Sequence, residues 1–81
     1  MVIAEVKIKL KKGVADPEGA NTKKTLELLG FQVEDVKSAK VFEIYLGIEN
    51  EEEAKRKVEE MCEKLLANPV IHDYSITFSS E

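Results

Sequence analysis

Asp16, Pro17 and Gly30 constrain this chain more than any other residues, because they say where a helix starts and where it stops. An Asp side chain accepts from the orphan N–H groups of a first helical turn, and Pro at the first helical position needs no N–H and already has a helical φ. Glycine supplies a left-handed cap at the far end without a Cβ penalty. A helix is therefore predicted over residues 17–29, entered through Gly13-Val14-Ala15-Asp16-Pro17-Glu18-Gly19 and closed by Leu29-Gly30-Phe31. The run before it has a period of two. Val2, Ala4, Val6, Ile8 and Leu10 share one face and Ile3, Glu5, Lys7 and Lys9 the other, which is the pattern of a half-buried strand.

The helix itself carries only a thin apolar stripe, Thr22, Thr25, Leu26 and Leu29, so shallow burial is expected. Residues 31–36 are predicted as a second strand in which Val33 and Val36 break the alternation, with a bulge near Glu34-Asp35. Ser38-Ala39 turns the chain, and residues 40–48 alternate cleanly: Phe42, Ile44, Leu46 and Ile48 inward, Val41, Glu43, Tyr45 and Gly47 outward. Asn50 and Glu53 form a capping box for a second helix running to about Ala67, with Ala54, Val58, Met61, Cys62, Leu65 and Leu66 on one face. Asn68-Pro69 ends it, and residues 70–78 alternate again, Ile71, Asp73, Ser75 and Thr77 facing outward. The order β-α-β-β-α-β implies an α+β, two-layer, ferredoxin-like sandwich: a four-stranded antiparallel sheet with both helices on one face. The 81 residues are expected to form a single domain, 1–81, whose small core benefits from association. Ile3, Val41, Tyr45 and Ile71 would then stand on an uncovered sheet face, a candidate self-association surface.

Chemistry is hard to assemble from these residues. Cys62 shares the core stripe and lacks spaced ligand partners, His72 opens a strand, and the glutamates at 49–53 are accounted for by capping and the helix dipole. Gly13, Gly19, Gly30 and Gly47 match neither dinucleotide nor triphosphate loops, so no catalytic, cofactor-binding or metal-ligating residue is assigned. Net charge is −4, with 13 Glu and 11 Lys against one Arg, a balance that disfavours nucleic-acid or anionic-membrane binding and resembles the surface bias of hyperthermophile proteins. Locally the N-terminal third is basic through Lys7, Lys9, Lys11, Lys12, Lys23 and Lys24. No apolar run spans a membrane or makes a signal core, so a cytoplasmic location is expected.

Gly13-Val14-x-Asp16-Pro17-x-Gly19, Leu29-Gly30-Phe31, Val36-Lys37-x-Ala39-Lys40 and Asn68-Pro69-Val70-Ile71-His72-Asp73-Tyr74 together resemble the PurS family, the small subunit of phosphoribosylformylglycinamidine (FGAM) synthase in purine biosynthesis. Lys37 and Ala39 stand where the family commonly has Arg and Gly; Ala39 implies a turn without an obligatory positive φ, and Lys37 lacks the guanidinium fork. The resemblance implies a subunit without catalytic residues or bound cofactor that bridges a PurL-like synthetase and a PurQ-like glutaminase, in a complex that uses ATP and glutamine to convert formylglycinamide ribonucleotide to formylglycinamidine ribonucleotide. It also implies a homodimer or a dimer of dimers, with Lys37 and Lys40 beside the sheet-face residues as candidate contacts. Two other classes share the expected architecture: an ACT-like small-molecule sensor, with its effector near residues 13–19, and an RNA-binding module, for which Tyr45 alone is placed to stack a base.

Overall fold

The computed structural model describes residues 1–80. Strand β1 (Val2–Leu10) lies at the centre of a three-stranded antiparallel sheet, between β2 (Ala39–Leu46) and β3 (His72–Ser80). The pairing keeps every apolar alternate in register: Ala4 sits between Ile44 and Phe78, and Val6 between Phe42 and Ile76. Against this face lies α2 (Glu51–Met61), which buries Ala54 and Val58, and the π-helical turn Cys62–Leu66, which buries Cys62. Val6, Val58 and Cys62 are the largest side chains that are fully buried, and no residue of α1 (Pro17–Leu28) joins the core cluster.

Both helix starts follow the sequence reading. Asp16 accepts from the Gly19 N–H at 2.9 Å, Pro17 opens α1, and Asn50 accepts from the Glu53 N–H at 3.1 Å. The end of α1 is a Schellman motif: the Gly30 N–H donates to the Glu27 carbonyl and the Phe31 N–H to the Leu26 carbonyl, both at 3.0 Å, with Gly30 at φ 96°.

Four expectations are corrected. Residues 31–36 form no strand, so the sheet has three strands and no hairpin precedes β2. The difference begins upstream: α1 does not lie across the sheet beside α2 and buries Gly19 alone, its thin stripe offering little apolar area, while the Thr22 hydroxyl donates to the Glu18 carbonyl at 2.9 Å and the Thr25 hydroxyl to the Asn21 carbonyl at 3.0 Å. With α1 off the sheet, the segment after it reaches no open strand edge. Leu65 leaves the apolar face and is 83% exposed, because the wider π-helical turn, closed by the Ala67 N–H donating to the Cys62 carbonyl at 2.9 Å, shifts the helical phase. Finally, Ile71 precedes β3 in a half-buried turn, where its carbonyl accepts from the Lys11 N–H at 2.8 Å.

The shape follows from these departures. Principal extents are 48 × 29 × 15 Å and the radius of gyration is 16.0 Å. A compact chain of this length would have about 12 Å. The excess comes from α1 and the segment beyond it, where Leu28, Leu29 and Phe31 are 79%, 69% and 58% exposed.

Candidate functional site

At the junction between β1 and α1, loops far apart in the chain meet through side-chain hydrogen bonds. After β1 a turn closes by the Val14 N–H donating to the Lys11 carbonyl at 3.1 Å, with Gly13 at φ 88° where only glycine is unstrained. Asp16 then does two things with one carboxylate. Oδ1 caps α1 through Gly19 and accepts the Ser38 hydroxyl at 2.8 Å, while Oδ2 accepts the Ser38 N–H at 2.7 Å. The Ser38 N–H first, then the Gly19 N–H and the Ser38 hydroxyl, hold this carboxyl below its ordinary range. Gly19 is required by the same junction, since a Cβ there would collide with the Val36 carbonyl oxygen and stand 2.8 Å from Asp16 Oδ2.

Beside this clamp opens a cleft of about 650 Å³. One wall is β1 and the turn after it, bearing Lys7, Lys9, Lys11 and Lys12; the other is α1, bearing Lys23 and Lys24. Lys37 and Ser38 close one end. Among these cations Lys11 alone has a carboxylate at ion-pair distance among the described residues, Asp73 at 3.9 Å.

The sheet face away from α2 brings together three of the four expected surface residues. Ile3 and Tyr45 are direct cross-strand partners, and Val41 faces Lys7. Tyr45 is 58% and Val41 50% exposed, while Ile3 is half-buried. Ile71 is not among them, and Lys40 is on the other side of the sheet, its ammonium 5.8 Å from the centre of the Phe42 ring. Lys37 and Lys40 are thus separated, the first in the cleft and the second on the core side. Pro69 stands in the turn before β3, where the Asn68 side chain accepts from the Val70 N–H at 2.9 Å. Ser38 is the residue sequence reasoning missed: nothing local distinguishes it from any turn serine, and its partner lies 22 positions away.

Nothing in this arrangement activates a nucleophile. Burial, then the charges of Glu59 and Glu63, push the Cys62 thiol up, and His72 Nδ1 accepts the Asn68 N–H at 2.9 Å. Among the described residues no three His, Cys, Asp or Glu side chains are grouped to hold a metal ion, and no helix is long and apolar enough to cross a membrane. The geometry offers surfaces for docking.

Comparison with known proteins places this geometry. The profile of the family described as PurS, phosphoribosylformylglycinamidine (FGAM) synthase, matches residues 3–80. The chain is 58% identical over 78 residues to the phosphoribosylformylglycinamidine synthase subunit PurS of Archaeoglobus fulgidus, covering 95% of this chain and 98% of that one. Among solved structures it is similar to the Methanocaldococcus jannaschii PurS crystal structure, described as one of the subunits of formylglycinamide ribonucleotide amidotransferase in the purine biosynthetic pathway. That likeness has a TM-score of 0.91 and 52% identity over 100% of this chain and 99% of that one. A chain in the Thermotoga maritima PurLQS structure superposes with a TM-score of 0.86 at 27% identity, covering 98% of this chain and 99% of that one.

Proposed function

The chain belongs to the PurS family, and on that premise we propose that it is the bridging subunit of an FGAM synthase, joining a PurL-like synthetase to a PurQ-like glutaminase in purine biosynthesis. The likeness to a named PurS subunit along almost the whole of both chains carries the reading. The shape supports it, since a body 48 Å long and 15 Å thick with an exposed arm has far more surface for partners than an 81-residue globule.

In this reading the subunit acts in the cytoplasm and contributes no catalytic residue and no cofactor site; ATP is used by the synthetase and glutamine by the glutaminase. It self-associates as a homodimer or dimer of dimers through the end of the open sheet face around Ile3 and Tyr45, away from Lys7 and Lys9 of the cleft. The ferredoxin-like plan is completed between copies, residues 31–36 of one gaining at a sheet edge of another the strand partner they lack within one chain. The test is reconstitution. Adding the pure chain to the purified synthetase and glutaminase should restore glutamine-dependent formation of formylglycinamidine ribonucleotide, while synthesis driven by added ammonia should depend on it far less. Turnover by the chain alone, or no effect on the glutamine-dependent rate, would overturn the proposal.

A further inference from the structure

The lysine cleft carries a charge opposite to that of the molecule around it. Seven lysines and three carboxylates line it, a net +4; with the whole chain at −4, everything outside the cleft sums to −8. Seven of the eleven lysines thus crowd around one concavity, and all but Lys11 lack a carboxylate at ion-pair distance among the described residues. Like charges gathered without internal partners repel one another, and an anion from outside relieves that repulsion.

The arrangement says which anion. A phosphate monoester needs donors converging on one point, and the natural point here, the first turn of α1, is already filled by the Asp16 carboxylate accepting from Gly19. No arginine lines the cleft to grip a phosphate through two parallel bonds. The cations instead are spread along the cleft, with Lys7 and Lys9 about 7 Å apart along β1 and Lys23 and Lys24 on the α1 wall. That repeat matches the spacing of same-side carboxylates in an extended peptide and approximates that of carboxylates one turn apart on a helix. Nucleic acid fits worse, because no aromatic side chain lines the cleft to stack a base.

We infer that this cleft docks an acidic polypeptide segment of a partner subunit, the lysines of β1 and α1 pairing with its carboxylates. The inference rests on the assembly role proposed above and names the part of the chain that performs it. Such a contact governs encounter and specificity and weakens with salt.

The experiment compares two variants of equal net charge. One carries Lys7→Gln, Lys9→Gln, Lys23→Gln and Lys24→Gln in the cleft; the other carries Lys40→Gln, Lys55→Gln, Arg56→Gln and Lys57→Gln outside it. A double variant, Lys9→Gln with Lys24→Gln, touches two exposed lysines only and serves if the fourfold cleft variant loses its folded circular dichroism. Affinity for the purified synthetase and glutaminase is measured by fluorescence anisotropy at low and high NaCl. The cleft variant should bind one of the two subunits about 30-fold more weakly at low salt and lose most of the salt dependence, the double variant about fivefold more weakly, and the outside variant as wild type. Wild-type binding retained by the cleft variants would overturn the cleft assignment and leave the assembly role standing. Wild type failing to bind either subunit would overturn both. A cleft variant that keeps partner affinity but falls to a smaller mass by light scattering would assign the cleft to a second copy, and cleft-dependent binding of labelled oligouridylate would assign it to nucleic acid; each refutes the inference.

Discussion

Replacing Gly19 by alanine sets two physical rules against each other. Gly19 is in the first turn of α1, and helix propensity alone favours alanine there by about 1 kcal/mol. The structure says otherwise. The new Cβ would meet the Val36 carbonyl oxygen, a backbone atom that cannot rotate away, and would stand 2.8 Å from the Asp16 carboxylate. Relief requires the segment before β2 to retreat, which pulls Ser38 from Asp16. Overpacking at a site without slack costs about 3 kcal/mol, the upper part of its usual span, so the net loss is about 2 kcal/mol. A chain of this size has roughly 4–12 kcal/mol in total, and the loss should lower its thermal midpoint by about 8–16 °C at fixed protein concentration. Urea and thermal unfolding followed by far-ultraviolet circular dichroism measure it, with Gly47→Ala as the control, since nothing lies within 4 Å of a Cβ at Gly47. Gly19→Ala at or above wild-type stability, with Gly47→Ala unchanged, would show that α1 does not approach Val36 as described.

Tyr45→Glu should dissociate the oligomer while leaving the fold intact, because Tyr45 faces Ile3 and a charge in a buried apolar contact costs several kcal/mol; light scattering that shows an unchanged mass would remove the open face from the interface. Asp16 has a lowered folded pKa, so its contribution to stability is complete above the unfolded value, about pH 4, and is lost as pH falls through the lower folded value. The urea midpoints of wild type and Asp16→Asn should therefore converge as pH drops below about 4, and a constant gap would contradict the clamp. Cys62 should resist thiol reagents in the native protein and react promptly in denaturant, since burial raises its pKa; fast native labelling would mean that the α2 end opens readily.

The alternation of Val2 to Leu10 and of the segment around Phe42 to Leu46 foretold which faces are buried, and local chemistry at Asp16, Pro17, Gly30 and Asn50 foretold both helix starts and the end of α1. These are short-range rules and need no knowledge of the rest of the chain. What failed was long-range. Leu26 and Leu29 have the spacing of a packed helix, but spacing cannot report that the sheet they would cover is already covered by α2 alone. The strand expected over residues 31–36 fell with that helix, because a strand exists only with a partner edge. The cleft was half legible: the local excess of lysine was plain, while its gathering with Lys37 depends on Ser38 reaching back across 22 positions to Asp16.

The π-helical turn has a consequence for how this chain tolerates changes in length. Five residues there span what a regular helix covers with four, so the turn stores a surplus residue between α2 and the bend that leads to β3. Deleting one residue at Leu65, the side chain already outside the core, would let the backbone revert to ordinary α-helix without disturbing Ala54 or Val58 upstream or the pairing of β3 downstream. Removing Glu59 instead would rotate everything after it by about 100° and carry Cys62 out of the core. Single-residue gaps are therefore expected to fall at this turn, where the helix can lose a position and keep its face.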